Sequence, residues 1–130
     1  MPLSLGLGDM LAMSPTEFEQ LSSRVLLALG YEDVRRSGGS GDLNADIVAK
    51  DSLGRSVIVQ CKRYAPGSSV GTPTLQTFIG MVHIYHKAER GIFMTTVHYS
   101  QPAVEFAREH GIVLIDGAFL VKLVDLGNIR

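Results

Sequence analysis

The chain has 130 residues, 45% of them hydrophobic and 19% charged, which is enough for one domain with its own core and excludes a disordered protein. Its 12 Lys and Arg residues against 13 Asp and Glu residues give a net charge of -1, which excludes a histone-like polyanion binder but not a local basic patch. The single cysteine excludes a disulfide framework and a cysteine-based zinc site, and no apolar run reaches the ~18 residues of a membrane span. We therefore expect a soluble, cytoplasmic α/β domain.

The N-terminal segment, residues 1–13, is apolar but lacks the basic region that opens a signal peptide. We expect it to be a loose leader or extension, followed by a single domain over residues 14–130. Ser14, Pro15 and Glu17 are typical of a helix start, as N-cap, first helical residue and capping-box acid. An apolar stripe at helical spacing follows and ends at a glycine: Phe18, Leu21, Val25, Leu29 and Gly30.

Beyond this helix the sequence alternates between strand-like and helix-like segments. Three strands come first, at residues 31–36, 45–50 and 56–62, and the last two flank a hairpin turn at 51–54. A second helix begins at Thr72 and presents an apolar face of Leu75, Phe78, Ile79, Val82 and Tyr85. A strand, a helix, a strand and a final helix then occupy residues 91–96, 100–110, 112–115 and 117–124. The order α-β-β-β-α-β-α-β-α predicts a mixed sheet with helices on both faces.

Three polar residues stand at the open end of the predicted hairpin. The midpoint of positions 46 and 60 falls inside the turn, so we expect Asp46 opposite or nearly opposite Gln60, on the same face of the sheet. Lys62 lies two residues farther along the strand and shares that face. The other face of the strand suits a core, with Val57, Val59 and Cys61.

A carboxylate, an amide and an ammonium together suit metal-assisted hydrolysis of a phosphodiester. Carboxylate and amide oxygens are ligands for Mg²⁺, and a lysine beside a metal orients or deprotonates a water or offsets charge on a phosphate. Glu19 flanks the apolar stripe of the first helix and can reach the same end of the sheet. The hairpin alone favours an ordinary Asp–Lys ion pair, and the helix alone favours a surface glutamate.

Taken together, the segments of the chain resemble the Mrr-type restriction endonucleases of the PD-(D/E)XK nuclease superfamily. The resemblance covers nearly the whole chain and rests on the order and spacing of several fragments: 14–21, 29–31, 39–42, 46–49, 59–64, 91–96 and 115–117. It implies a restriction-endonuclease-like fold with a site for DNA cleavage.

The same resemblance assigns roles to the polar residues. It makes Asp46 the main metal ligand, Gln60 and Lys62 a Q-x-K form of the superfamily motif, and Glu19 the helix glutamate that completes the site. We expect Gln60 and the backbone carbonyl of Cys61 to assist in binding Mg²⁺, for which Mn²⁺ can substitute. We expect Lys62 to orient or deprotonate the attacking water.

Two features concern the loop and the DNA contacts. Leu43 and Asn44 replace two glycines that usually precede the catalytic aspartate in the family, which changes the expected loop shape. Asp42 is interpreted as a cap of that loop. Residues expected to contact DNA are Arg63, Tyr64, Gln76, Arg35 and Arg36.

We interpret the chain as a metal-dependent DNA endonuclease of Mrr type, with modified DNA as a candidate substrate. Two alternatives remain: a structure-selective nuclease such as a junction resolvase, and a nuclease-fold module that binds DNA or a partner without cutting. The expected partners are DNA, a second copy of the chain, and a separate DNA-reading domain or subunit. The residues do not distinguish DNA from RNA.

Overall fold

The computed structural model describes residues 6–37, 45–127 and 129. Its helices are α1 (Leu7–Leu11), α2 (Pro15–Ala28), α3 (Thr72–Gly80) with a π-helix continuing it over Met81–Tyr85, α4 (Gln101–His110) and α5 (Gly117–Leu126). Its strands are β1 (Glu32–Arg36), β2 (Ile47–Lys50), β3 (Ser56–Lys62), β4 (Ser69–Val70), β5 (Arg90–Thr95), β6 (His98–Tyr99) and β7 (Ile112–Ile115). The predicted order is confirmed for the main sheet and its helices. The additional elements α1, β4 and β6 are too short to leave a periodic pattern.

The main sheet has five strands in the order β1-β2-β3-β5-β7. The first three are antiparallel neighbours, whereas β3, β5 and β7 are parallel and are connected through α3 and α4. The carboxyl ends of the parallel strands therefore meet at one edge of the sheet. The start of β2 lies at the same edge because β2 runs antiparallel to β3. This edge brings Asp46 and Lys62 together.

Each face of the sheet carries its own core. One core lies under α1, α2 and α5 and includes Met10, Phe18, Leu21, Val25, Ile47, Val59, Met94, Leu120 and Val124. The other lies under α3, the π-helix and α4 and includes Ala45, Ile58, Leu75, Phe78, Val82, Phe93, Ala103 and Ala107. The predicted mixed sheet with helices on both faces is thus confirmed.

Helix α2 begins as predicted, with a capping box. The Ser14 hydroxyl accepts from the Glu17 amide at 3.1 Å, and the Glu17 carboxylate accepts from the Ser14 amide at 2.9 Å. The first three residues of the predicted apolar stripe are buried, but Leu29 is 46% exposed. The stripe prediction is wrong there because the helix ends at Ala28, and Leu26 takes the buried position instead.

Two other segments differ from expectation. Tyr85, expected on the buried face of the second helix, is 55% exposed, because the wider turn of the π-helix rotates its last residue away from the sheet. Within residues 1–13, expected to be a loose leader, residues 7–11 form α1 and Met10 is fully buried in the core. Over the described ranges, no helix is long and apolar enough to cross a membrane.

Candidate active site

The backbone changes face at Asp46. Ala45 packs in the core under α3 and α4, whereas Ile47 packs in the core under α2, although residues two apart on a regular strand share a face. The Asp46 amide donates to the Val59 carbonyl oxygen at 2.9 Å, and Ile47 is the register partner of the same Val59. Asp46 and Ile47 thus both lie opposite Val59, which is the arrangement of a β-bulge. A β-bulge changes the direction in which a side chain points. It turns the Asp46 carboxylate toward α2.

Gln60 follows the regular pleat and lies on the other face. The strands β2 and β3 pair in the predicted register, with Val48 opposite Ile58. Gln60, two residues beyond Ile58, shares its face and is 8% exposed. The prediction that Asp46 and Gln60 share a face is therefore wrong, because the bulge redirects Asp46 and the pleat keeps Gln60 under α3.

A pocket of about 290 Å³ opens at the sheet edge between α2 and the end of β3. It is lined by Pro15, Phe18, Glu19, Asp46, Cys61, Lys62 and Arg63. The structure thus brings five of the sequence-predicted site residues together around one space. Gln60 is not among the described residues that line it.

The Asp46 carboxylate holds the backbone of β3 at this pocket. Its Oδ2 accepts from the Cys61 amide at 2.8 Å. This bond fixes the peptide that joins Gln60 to Cys61, one residue before Lys62. The Cys61 side chain packs against the core under α2, as predicted, and burial together with the nearby Asp46 and Glu19 carboxylates raises the pKa of its thiol. The backbone carbonyl of Cys61 is the oxygen atom that this residue can offer to a hard cation.

Glu19 projects from α2 into the same pocket and contacts Arg36 of β1. The Arg36 Nε donates to Glu19 Oε1 at 3.5 Å. Burial, followed by the negative charge of Asp46, raises the pKa of Glu19, and Arg36 opposes that shift. Asp46 and Glu19 are therefore close enough to repel each other, and Arg36 offsets part of their charge.

The residues at the end of β3 are fixed by contacts from three elements. Lys62 is exposed at the mouth of the pocket, and its backbone carbonyl accepts from the Thr95 hydroxyl at 2.7 Å. The Arg63 guanidinium donates to the Leu11 carbonyl oxygen at the end of α1, at 3.2 Å. The Tyr64 amide donates to Thr96 Oγ1 at 3.0 Å, and burial raises the pKa of the Tyr64 phenol.

The remaining predicted DNA-binding residues lie elsewhere. Arg35 alternates with Arg36 along β1 and lines a different pocket, of about 250 Å³, together with Lys50 and His86. Gln76 is exposed on α3, on the opposite face of the sheet from α2. The predicted roles of positions 42–44 lie outside the described residues.

The donor set of the pocket fits a hard divalent cation. Two mutually repelling carboxylates, Asp46 and Glu19, and the Cys61 carbonyl are all oxygen donors, as Mg²⁺ prefers. Where the structure describes the chain, no cluster of three or more His, Cys, Asp or Glu side chains could hold a metal ion. A cation here would therefore complete its shell with backbone oxygen, water and substrate phosphate, which is typical of Mg²⁺.

Two contact residues were not singled out from the sequence. Thr95 ends the apolar strand β5 and Thr96 follows it. They are 0% and 2% exposed, and their hydroxyls bond the backbone of Lys62 and Tyr64. Their signal was present, because two consecutive hydroxyl residues at the carboxyl end of a buried strand require partners.

Solved structures share this fold. AspBHI, a DNA modification-dependent restriction endonuclease, matches with a TM-score of 0.71 at 18% identity, over 95% of this chain and 35% of that chain. The MspJI restriction endonuclease, solved with a 27-mer oligonucleotide, matches with a TM-score of 0.64 at 29% identity, over 82% of this chain and 27% of that chain. EndoMS in complex with double-stranded DNA matches with a TM-score of 0.60 at 18% identity, over 89% of this chain and 46% of that chain. The sheet and its edge pocket thus define a restriction-endonuclease-like nuclease fold.

The sequence assigns the family within that fold. Residues 10–124 match the Mrr_cat family, described as restriction endonuclease, and the chain belongs to this family. It is 41% identical over 125 residues to the Type IV methyl-directed restriction enzyme EcoKMrr of Escherichia coli (strain K12). The matched region covers 91% of this chain and 40% of the relative. The chain thus spans less than half the length of that relative.

Proposed function

We propose that this chain is the catalytic domain of a metal-dependent DNA endonuclease of restriction type. The observation that supports the proposal most strongly is the convergence of Glu19, Asp46, the Cys61 backbone and Lys62 on one pocket. The chain's membership of the restriction endonuclease family supports a shared role of these residues in DNA cleavage. The net charge of -1 means that phosphate attraction must come from the pocket and its cation, not from the whole surface.

Asp46, Glu19 and the Cys61 carbonyl would hold the cation, with Mg²⁺ as the natural ion and Mn²⁺ as a substitute. When bound, a divalent cation acts as a Lewis acid on a phosphoryl oxygen and lowers the pKa of a coordinated water. The carboxylates must be ionised to bind it, so the raised pKa of Glu19 limits binding at low pH. Gln60 is proposed to support the site from the opposite face of the sheet.

Lys62 would orient the attacking water and stabilise the charge that develops on the phosphate. Its ammonium stands on the last residue of β3, at the mouth of the pocket, where a duplex phosphate can approach. The water oxygen would attack phosphorus and lose a proton to solvent, while the phosphorus–oxygen bond to the leaving strand breaks and the leaving oxygen takes up a proton from solvent. Arg63 and Tyr64 would track the strand backbone beyond the cleaved bond, and Arg36 is available to a phosphate when Glu19 binds the cation.

The substrate is proposed to be modified DNA. EcoKMrr is named as methyl-directed and AspBHI as modification-dependent, and both are much longer than this chain. Recognition of the modification is therefore assigned to a separate DNA-reading domain or subunit, and double-strand cleavage to a homodimer with two such pockets. A cytoplasmic location stays a prediction.

A nicking assay on supercoiled plasmid tests the proposal. We expect Mg²⁺-dependent cleavage that EDTA abolishes and that Asp46→Asn, Glu19→Gln and Lys62→Met reduce at least about 100-fold. Matched controls are Asp125→Asn and Lys122→Met, which alter exposed residues of α5 outside the pocket and should cleave normally.

The substrate arms of the same assay separate the alternatives. Methylated and unmethylated plasmids test the dependence on modification, and a four-way junction beside a linear duplex tests for a resolvase. A preference for the junction would contradict a restriction role. Binding of DNA without cleavage, with Mg²⁺ and Mn²⁺ both supplied to folded protein, would contradict the endonuclease and favour a binding module.

A further inference from the structure

Strand β3 leaves the sheet directly after Lys62, so the backbone groups that follow have no strand partner. Pairing between β3 and β5 ends with Lys62 opposite Thr95. Beyond that point, side-chain hydroxyls replace the neighbouring strand as hydrogen-bond partners of the backbone. The Thr95 hydroxyl donates to the Lys62 carbonyl at 2.7 Å, and Thr96 Oγ1 accepts from the Tyr64 amide at 3.0 Å and donates to the Tyr64 carbonyl at 3.1 Å.

Both hydroxyls are buried, and their bonds to the backbone explain why threonine stands there. Thr95 is 0% exposed and Thr96 is 2% exposed. Valine has nearly the same shape and would avoid the cost of burying a hydroxyl. The hydroxyl therefore contributes its hydrogen bonds, because the carbonyl of Lys62 and the peptide groups of Tyr64 would otherwise lie beside the sheet edge without these partners.

The segment that carries the two threonines is itself firmly held. A Cβ atom on Gly117 would stand 2.2 Å from the Thr96 carbonyl oxygen, so the start of α5 packs directly on this backbone and only glycine fits. The Gly117 amide donates to the Val97 carbonyl at 3.1 Å. The hydroxyls thus project from a rigid support, which is what a residue needs if it is to position another.

The backbone around Lys62 is therefore held both before and after this residue. On one side the Cys61 amide donates to Asp46 Oδ2 at 2.8 Å, and on the other the Lys62 carbonyl accepts from Thr95 at 2.7 Å. Together with the pairing of β3 and β5, these two bonds hold the backbone from which the Lys62 side chain leaves the strand. They also link the direction of Lys62 to the carboxylate that binds the cation.

We propose that Thr95 is a positioning residue for cleavage, which aims Lys62 at the reacting phosphate, and that Thr96 holds the adjoining Tyr64 backbone in place. The inference rests on the proposed endonuclease function. Thr95 contacts neither substrate nor cation and acts through the backbone of Lys62. Loss of the Thr95 hydroxyl should therefore lower kcat and leave the binding of DNA unchanged.

The test compares kcat and KM for plasmid nicking in Mg²⁺ among the parent and the variants Thr95→Val and Thr95→Ser. We expect Thr95→Val to lower kcat about 10- to 100-fold, because small displacements of a catalytic group have effects of that size, with KM changed less than about twofold. Thr95→Ser keeps the hydroxyl and should retain a kcat within about threefold of the parent. The matched control is Thr77→Val, which removes a threonine hydroxyl that donates to the Pro73 carbonyl on the exposed side of α3.

Each outcome decides one claim. A parent that cleaves while Thr95→Val cleaves equally well overturns the positioning role alone, whereas a parent that does not cleave overturns the proposed function and this inference with it. If Thr95→Val fails to fold, Thr95→Ala and Thr95→Ser are compared, since both lack the threonine methyl group and they differ by the hydroxyl. Equal kcat values in that pair, or a loss expressed mainly in KM, overturn the positioning role.

Discussion

Replacing the Asp46 carboxylate separates its proposed role in catalysis from its role in stability. Asp46→Asn and Asp46→Ala both remove the charge that repels Glu19, and both should abolish cleavage. They differ in one atom group, because asparagine keeps a side-chain oxygen that can accept from the Cys61 amide, as Asp46 Oδ2 does at 2.8 Å. The difference in free energy of unfolding between the two variants therefore measures what the side-chain acceptor contributes, including this hydrogen bond.

The expected difference in free energy of unfolding depends on how deeply the Asp46 carboxylate is buried. A buried amide left without its acceptor costs about 1–3 kcal/mol, and the half-buried position of Asp46, which admits some water, places the value near the lower end, at about 1–2 kcal/mol. Asp46→Asn should stay within about 1 kcal/mol of the parent, because a weaker hydrogen bond is offset by relief of the repulsion with Glu19.

Urea unfolding of the three proteins in EDTA at neutral pH, followed by circular dichroism, measures these free energies. Equal stability of Asp46→Asn and Asp46→Ala would refute the reasoning, because it would mean that the carboxylate does not hold the β3 backbone. Cleavage by either variant in Mg²⁺ would refute the assignment of Asp46 as the main ligand.

Three further predictions follow from the same contacts. Gly117→Ala should lower the free energy of unfolding by about 1–3 kcal/mol, because its methyl group would meet the Thr96 carbonyl, whereas Gly80→Ala has open space in a helix and should raise it by about 0.5–1 kcal/mol in the same urea titration. Because burial and a neighbouring carboxylate raise the pKa of Glu19, Mn²⁺ affinity measured by calorimetry should fall as the pH drops through that raised pKa, above the range of an ordinary glutamate, and Glu19→Gln should remove this dependence. A metal-free stability profile should show the opposite sign, since a raised carboxyl pKa adds stability below it that is lost as the pH rises. The Cys61 thiol, whose pKa is raised by burial, should react with a thiol reagent in urea but only slowly in the native protein, and fast native labelling would contradict its burial.

Regular periodicity made most of the fold predictable from the sequence. The capping box at Ser14 and Glu17, the hairpin register and the glycine that ends α4 are local signals, and each is confirmed. The π-helix that exposes Tyr85 was not predictable, because an extra residue in one turn leaves no separate sequence signal. Neither were β4 and β6, whose two residues each pair only because the tertiary fold brings them together.

The meeting of the candidate site residues was more predictable from the sequence than their geometry. Glu19, Asp46, Cys61 and Lys62 meet in one pocket, as the resemblance implied. The hairpin argument nevertheless placed Gln60 beside Asp46, since it assumed a regular pleat where the chain forms a bulge. Arg36, which is predicted to contact DNA, lies against Glu19 in the protein alone, because a long cation next to two like charges is drawn to the nearer carboxylate.

The most direct test of the account is the rate of plasmid nicking in Mg²⁺ by the parent, by Lys62→Met and by the exposed control Lys122→Met. The account predicts cleavage by the parent and by Lys122→Met, its loss in EDTA, and a reduction of at least about 100-fold in Lys62→Met with the fold intact by circular dichroism. Cleavage by Lys62→Met at the parental rate, or none by the folded parent with Mg²⁺ or Mn²⁺, would contradict the claim that this pocket is the active site of a nuclease.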